Sequence, residues 1–153
     1  MSPINLVLIC TGNTCRSPMA EAIARSLFTA AGLAAQVSSA GVCAMHNQPA
    51  SRHAITAMEE GGLCLLSHQA QMVSDEMLND ATLVLTMTKG HKAMLLSDYP
   101  LAEDKIFTLA EYAEDSCADV SDPFGGSLEE YKTCAAQIRA LLELALEKIK
   151  RDL

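Results

Sequence analysis

Apolar residues along the chain follow two rhythms. The short runs Ile4–Ile9, Gln36–Ala40, Ala81–Thr86 and Lys105–Thr108 predict strands. Between them, Pro18–Ala31, Ser51–Glu60, Ser74–Asn79, His91–Leu96 and Ser127–Lys150 carry helix signals. The last is the clearest. Leu128, Tyr131, Ala135, Ile138, Leu142, Ala145 and Ile149 recur at steps of three and four, drawing one apolar stripe suited to docking on a sheet. No linker, internal repeat or low-complexity tract interrupts the alternation.

Short apolar strands separated by helices predict a parallel sheet covered on both faces. With right-handed crossovers and four strands, the expected fold is α/β: a flavodoxin-like three-layer sandwich, one domain over residues 1–153. In such sheets ligands bind beyond the carboxyl ends of the strands, beside the switch in strand order. The segment that leaves the first strand at that edge is Cys10–Ser17.

Composition narrows the setting. A 50% apolar content is enough to fill one core, and the longest apolar runs are broken by Ser, Asp, Glu or Lys, so no membrane association is expected. Met1-Ser2-Pro3-Ile4 lacks the basic region of a signal peptide, which predicts a cytoplasmic protein whose six cysteines are mostly reduced. The net charge of −8 repels nucleic acid, and none is expected as a partner; a monomer is expected. The same field repels phosphorylated substrates, so a phosphate site has to work by local, converging donors.

The run Cys10-Thr11-Gly12-Asn13-Thr14-Cys15-Arg16-Ser17-Pro18 supplies such donors between a strand and a helix start. Gly12 adopts positive φ freely and Asn13 tolerates it, so successive N–H groups of Thr11 to Ser17 can curl around an anion. Ser17-Pro18 reads as a helix cap and first turn, aiming the positive end of a helix at the same point. Arg16 adds a planar fork for two phosphate oxygens, and these positive surroundings favour Cys10 as thiolate, the competent nucleophile. A Cys and an Arg six apart arise by chance about 0.2 times in such a chain. The strand, the Gly, the Asn and the Ser-Pro are what make the motif specific, and together they read as a cysteine-dependent phosphatase.

Two other readings of the loop fail. No Gly-Lys-Ser/Thr follows, as a nucleotide P-loop requires, and the Cys spacing and scattered histidines suit no zinc site, so neither of those two sites is expected. A proton donor for the leaving group is still needed. Asp122, in Ser121-Asp122-Pro123-Phe124-Gly125-Gly126, follows the last strand signal and is expected at the same sheet edge.

The Cys10–Pro18 run, the Asp122-Pro123-Phe124 segment and their separation resemble the low-molecular-weight protein tyrosine phosphatase family over essentially the whole chain. The resemblance implies Cys10 as nucleophile, Arg16 as phosphate clamp and Asp122 as general acid, then general base, with phosphorylated proteins as substrates and no metal or organic cofactor. Ser17 matches a hydroxyl that stabilises the thiolate; Asn13, Ser39 and His68 match a polar network that holds the loop. Cys-Thr-Gly-Asn-Thr-Cys-Arg-Ser followed by Asp-Pro-Phe-Gly-Gly further resembles the bacterial protein-arginine phosphatase branch. That branch implies targets of a protein-arginine kinase in stress response.

Thr14 and Phe124 are the specificity candidates. Tyrosine-directed members place a bulky aliphatic where Thr14 stands; a threonine is smaller and offers a hydroxyl that can orient water or a phosphoguanidinium. Phe124 supplies an apolar wall, while Gly125 and Gly126 remove a second aromatic. Phosphotyrosine remains the alternative substrate. An arsenate reductase would need a cysteine pair near the strand ending at Thr86, yet no Cys lies between Cys64 and Cys117; a silent phosphoprotein-binding module would lack the nucleophile or acid, and both are present. Cys10 and Cys15 form a candidate reversible disulfide across the loop; Cys43, Cys64, Cys117 and Cys134 read as inert.

Overall fold

The computed structural model describes residues 3–153. Four strands, β1 (Ile4–Cys10), β2 (Ala35–Gly41), β3 (Leu83–Thr86) and β4 (Ile106–Thr108), form one sheet in the order β2-β1-β3-β4. Every pairing is parallel, with Ile4 opposite Ala35, Leu6 opposite Leu83 and Val84 opposite Ile106. The helices are α1 (Arg16–Ala30), α2 (Arg52–Glu60), α3 (Asp75–Asp80), α4 (Lys89–Asp98), α5 (Leu109–Glu114) and α6 (Leu128–Asp152).

Alternation along β1 divides the core. Leu6, Leu8 and Cys10 point into the larger cluster, where α1 contributes Met19 and Ile23 and α6 contributes Tyr131, Ile138, Leu142 and Ile149. Val7 and Ile9 point the other way and meet Leu78 of α3 and Leu95 of α4. The expected three layers are therefore present, and the nucleophile candidate faces the α1–α6 side. On α6 the buried face is wider than the expected stripe, because Cys134, Leu141 and Leu146 are buried as well.

Element boundaries moved where a cap or a pairing decided them. β3 begins at Leu83, two residues later than expected, because Ala81 closes α3 and only then does the chain join β1. Thr88 caps α4 by accepting from the His91 N–H, so that helix starts at Lys89. Neither α5 nor the 3-10 turn Pro100–Lys105 is anticipated by apolar periodicity; both are six residues long, too short to establish it. A signal for α5 was nonetheless present, since Thr108 and Glu111 form a reciprocal capping box.

Candidate active site

β1 ends at Cys10 and α1 begins at Arg16, so the loop between them sits at the carboxyl edge of the sheet beside the β1–β3 switch. The residue that bends it is Asn13, with φ 57°, and not Gly12, whose φ is not positive. The asparagine is stabilised in this conformation because every polar atom of its side chain is engaged. Its Nδ2 donates to Ser17 Oγ at 2.8 Å and Ser39 Oγ at 2.9 Å, and its Oδ1 accepts from the Gln71 N–H at 3.0 Å. A glycine would offer the φ but none of these bonds. His68 Nε2 donates to the Asn13 carbonyl at 2.7 Å, which places that ring proton on Nε2. Beneath the loop, Gly41 permits the closest approach: a Cβ there would collide with the Thr11 carbonyl oxygen and come within 2.9 Å of Ala44 Cβ.

Ser17 is not the helix cap. Cys15 occupies the cap position of α1 without a side-chain cap bond, and Ser17 lies inside the first turn. Its Oγ stands 2.9 Å from Cys10 Sγ. The hydroxyl accepts from Asn13 and still has a hydrogen available to give to the sulfur. The uncapped N–H groups of α1 are left facing the loop, where an anion can accept from them.

Arg16 is buried, at 5% exposure, and its fork is aimed by the backbone: Nη1 donates to the Val120 carbonyl at 3.0 Å. Nη2 lies 3.5 Å from Thr11 Oγ1 and 3.6 Å from Asp122 Oδ2. Val120 is in turn anchored by its N–H to the Met87 carbonyl at the end of β3, so the segment carrying Asp122 is tied to the sheet edge as expected. Asp122 is half exposed, and its Oδ1 accepts from the Phe124 N–H at 3.0 Å, a local turn that leaves the other oxygen toward Arg16. Gly125 follows with φ 80°.

Cys10, Thr11, Gly12, Thr14, Cys15, Arg16, Gln48, Asp122 and Phe124 line one cleft of about 310 Å³. The candidate nucleophile Cys10, the Arg16 cation, the Asp122 carboxylate and both specificity candidates thus converge, while Ser39 and His68 lie behind the loop. Phe124 is 74% exposed, an open wall and not a closed clamp. Gln48 enters the cleft on a loop joined to residue 70 by two backbone bonds of 2.8 Å; nothing in the local sequence marks it. Cys15 Sγ is 3.3 Å from Tyr131 Oη and 3.5 Å from Ser51 Oγ, and all six cysteines are free. Burial pushes the Cys134 thiol up to about 12, consistent with an inert thiol, and pushes the Tyr131 hydroxyl, which also bonds Cys15, up to about 12.

Residues 5–153 match the family model described as low molecular weight phosphotyrosine protein phosphatase. The chain belongs to this family. Among its relatives in the low-molecular-weight phosphatase family, a protein-arginine-phosphatase of Bacillus subtilis is 42% identical, covering 97% of this chain and 99% of that protein. The low molecular weight protein-tyrosine-phosphatase PtpB of Staphylococcus epidermidis is 34% identical over 92% of this chain and 95% of its own. A solved structure of the YwlE arginine phosphatase, a mutant with a phosphorylated active-site serine, superposes with a TM-score of 0.95 at 41% identity and 97% coverage of both chains. As a protein phosphatase of this family, the enzyme acts on phosphorylated proteins.

The phosphatase loop is also supported by residues that reading along the chain did not find. Glu21 Oε1 accepts from Ser39 Oγ at 2.6 Å, its other oxygen pairs with Arg25 at 2.7 Å, and Gln71 Nε2 donates to the Ser39 carbonyl at 3.0 Å. His91 reaches Thr11 Oγ1 at 2.8 Å through Nε2. Only Glu21 is near the loop in sequence; the others arrive through tertiary contact. Among the described residues no helix is long and apolar enough to cross a membrane, and no cluster of three or more His, Cys, Asp or Glu is placed to hold a metal ion.

Proposed function

We propose that this chain is a cytoplasmic, monomeric protein-arginine phosphatase working through a cysteinyl-phosphate. The observation that carries the reading is Thr14 in the wall of the cleft together with Asp122 and Phe124, in a chain 42% identical to a protein-arginine-phosphatase over nearly its full length. A threonine there leaves width for a branched guanidinium and presents a hydroxyl to it.

Cys10 Sγ attacks phosphorus while the equatorial oxygens are held by the loop N–H groups and the Arg16 fork. The P–N bond breaks, its electron pair stays on nitrogen, and Asp122 delivers a proton to that nitrogen, so that the side chain leaves as an arginine guanidinium. Asp122, now a carboxylate, takes a proton from water as that water attacks phosphorus; the S–P bond breaks, releasing phosphate and restoring the thiolate. Ser17, oriented by Asn13, supports the thiolate at both ends of the cycle, and Ser39 and His68 hold the loop in shape. Free thiols throughout the chain fit a reducing compartment.

A reversible Cys10–Cys15 disulfide is part of the same proposal. Cys15 is buried at the other end of the short loop with only weak sulfur contacts to hold it, so oxidation of Cys10 can be intercepted before it proceeds further. The main reading is tested by kcat/KM on matched peptides bearing phosphoarginine or phosphotyrosine. Preference for phosphoarginine supports it; preference for phosphotyrosine returns the enzyme to the tyrosine-directed members.

A further inference from the structure

One buried titratable group beside the cleft has no part in the chemistry described so far. His91, in the first turn of α4, is 6% exposed; its Nε2 lies 2.8 Å from Thr11 Oγ1, and its Nδ1 is buried without a partner. The charged groups facing it are Arg16, Asp119 and Asp122. Burial, reinforced by the Arg16 guanidinium, lowers its pKa to about 4, so the ring is neutral at pH 7.

A neutral imidazole carries one N–H. If that hydrogen were on Nδ1, a donor would be buried with nothing to receive it; on Nε2, only a lone pair goes unpaired, which is the less costly arrangement. The bonding pattern therefore assigns the hydrogen to Nε2, donating to Thr11 Oγ1. Arg16 Nη2, which can only donate, approaches the same oxygen at 3.5 Å. With both lone pairs of Thr11 Oγ1 facing donors, its own O–H has to donate elsewhere, and Thr11 lines the cleft.

The geometry points to His91 as a positioning residue that turns the Thr11 hydroxyl into a further donor for the bound phosphoryl group, beyond the backbone N–H groups and Arg16. It acts on the oxygens common to every phosphorylated substrate and to the product, whichever leaving group the enzyme prefers. The inference therefore stands apart from the phosphoarginine reading.

The test is competitive inhibition by inorganic phosphate, measured with a simple aryl phosphate substrate, across Thr11→Val, Thr11→Ser, His91→Gln, His91→Phe and the double variant Thr11→Val/His91→Phe. Thr11→Val is expected to weaken phosphate inhibition about tenfold, the scale of one hydrogen bond to a charged group. Thr11→Ser, which keeps the hydroxyl, and His91→Gln, which keeps a donor, are expected within about threefold of the native enzyme on the same scale. His91→Phe should match Thr11→Val, and the double variant should be no worse than either, because both remove the same interaction. Unchanged inhibition in Thr11→Val overturns the proposal, as do losses that multiply in the double variant. Should His91→Phe fail to fold, Thr11→Val against Thr11→Ser and His91→Gln still decides: equal inhibition in Val and Ser, or a Gln variant as weak as Val, overturns it.

Discussion

Cys10 Sγ stands 2.9 Å from Ser17 Oγ, and that hydroxyl is itself oriented by Asn13 Nδ2 at 2.8 Å. The sulfur thus receives a donor whose direction is set from behind the loop. Ser17→Ala removes the donor but not the helix start, because Ser17 is not the cap. We expect kcat to fall about 10- to 100-fold, the range for a hydrogen bond to a charged group, with KM little changed. Alkylation of Cys10 by iodoacetamide at pH 6 should slow in parallel; unaltered alkylation would show that Ser17 does not act on the thiolate.

Asn13 combines a left-handed backbone with bonds to Ser17, Ser39 and Gln71. Asn13→Ala loses both, and the expected destabilisation is about 3 kcal/mol, from about 1 kcal/mol of backbone strain and the lost buried bonds. Asn13→Gly relieves the strain alone and should recover about 1 kcal/mol of it. Urea unfolding of the three proteins gives the ordering; equal stability of the Ala and Gly variants would mean that the φ of 57° carries no cost.

His91 makes stability depend on pH. Its pKa is 6.5 in an unfolded chain and about 4 in the native protein, so between those values the unfolded state binds the extra proton. The native state keeps its full stability above pH 6.5 and loses it as the pH falls toward 4. Between pH 7 and pH 5 the loss from this group is about 2 kcal/mol. His91→Gln cannot titrate and should lose correspondingly less across that interval in urea unfolding. An identical pH dependence in both proteins would contradict the burial assigned to this ring.

Asp122 is half exposed, with one oxygen fixed by the Phe124 N–H and the other 3.6 Å from Arg16. Asp122→Asn keeps the shape and removes the transferable proton. The expected outcome is a fall in kcat of about 100- to 10,000-fold with phosphate inhibition retained. Loss of phosphate binding instead would make Asp122 a structural partner of Arg16.

Peroxide treatment followed by peptide mapping should yield a Cys10–Cys15 disulfide that dithiothreitol reverses together with activity. Recovery of Cys10 as sulfinic acid with Cys15 still free would contradict it.

The parts of the enzyme legible along the chain are those whose cause is local. The Cys10–Pro18 run announces a strand, a turn and a helix start because each depends on near neighbours, and the α6 stripe repeats often enough to be unmistakable. Asp122 was legible because its place after the last strand ties it to the loop's edge. Errors arose where two residues compete for one local role: Gly12 and Asn13 both suit positive φ, and only the contacts from Ser39 and Gln71 decide for Asn13. Ser17-Pro18 looks like a cap until Cys10 draws the hydroxyl inward. His91, Gln71 and Gln48 were hidden for another reason: each reaches the loop or its cleft across many residues of chain, through packing that no periodicity encodes.

The most direct measurement is kcat/KM for matched phosphoarginine and phosphotyrosine peptides on the native enzyme and on Thr14→Ile, with Cys10→Ser as the inactive control. The account predicts a strong preference for phosphoarginine that collapses by about 10- to 100-fold in Thr14→Ile while phosphotyrosine turnover is kept or raised. A preference for phosphotyrosine that the substitution leaves unchanged would contradict it.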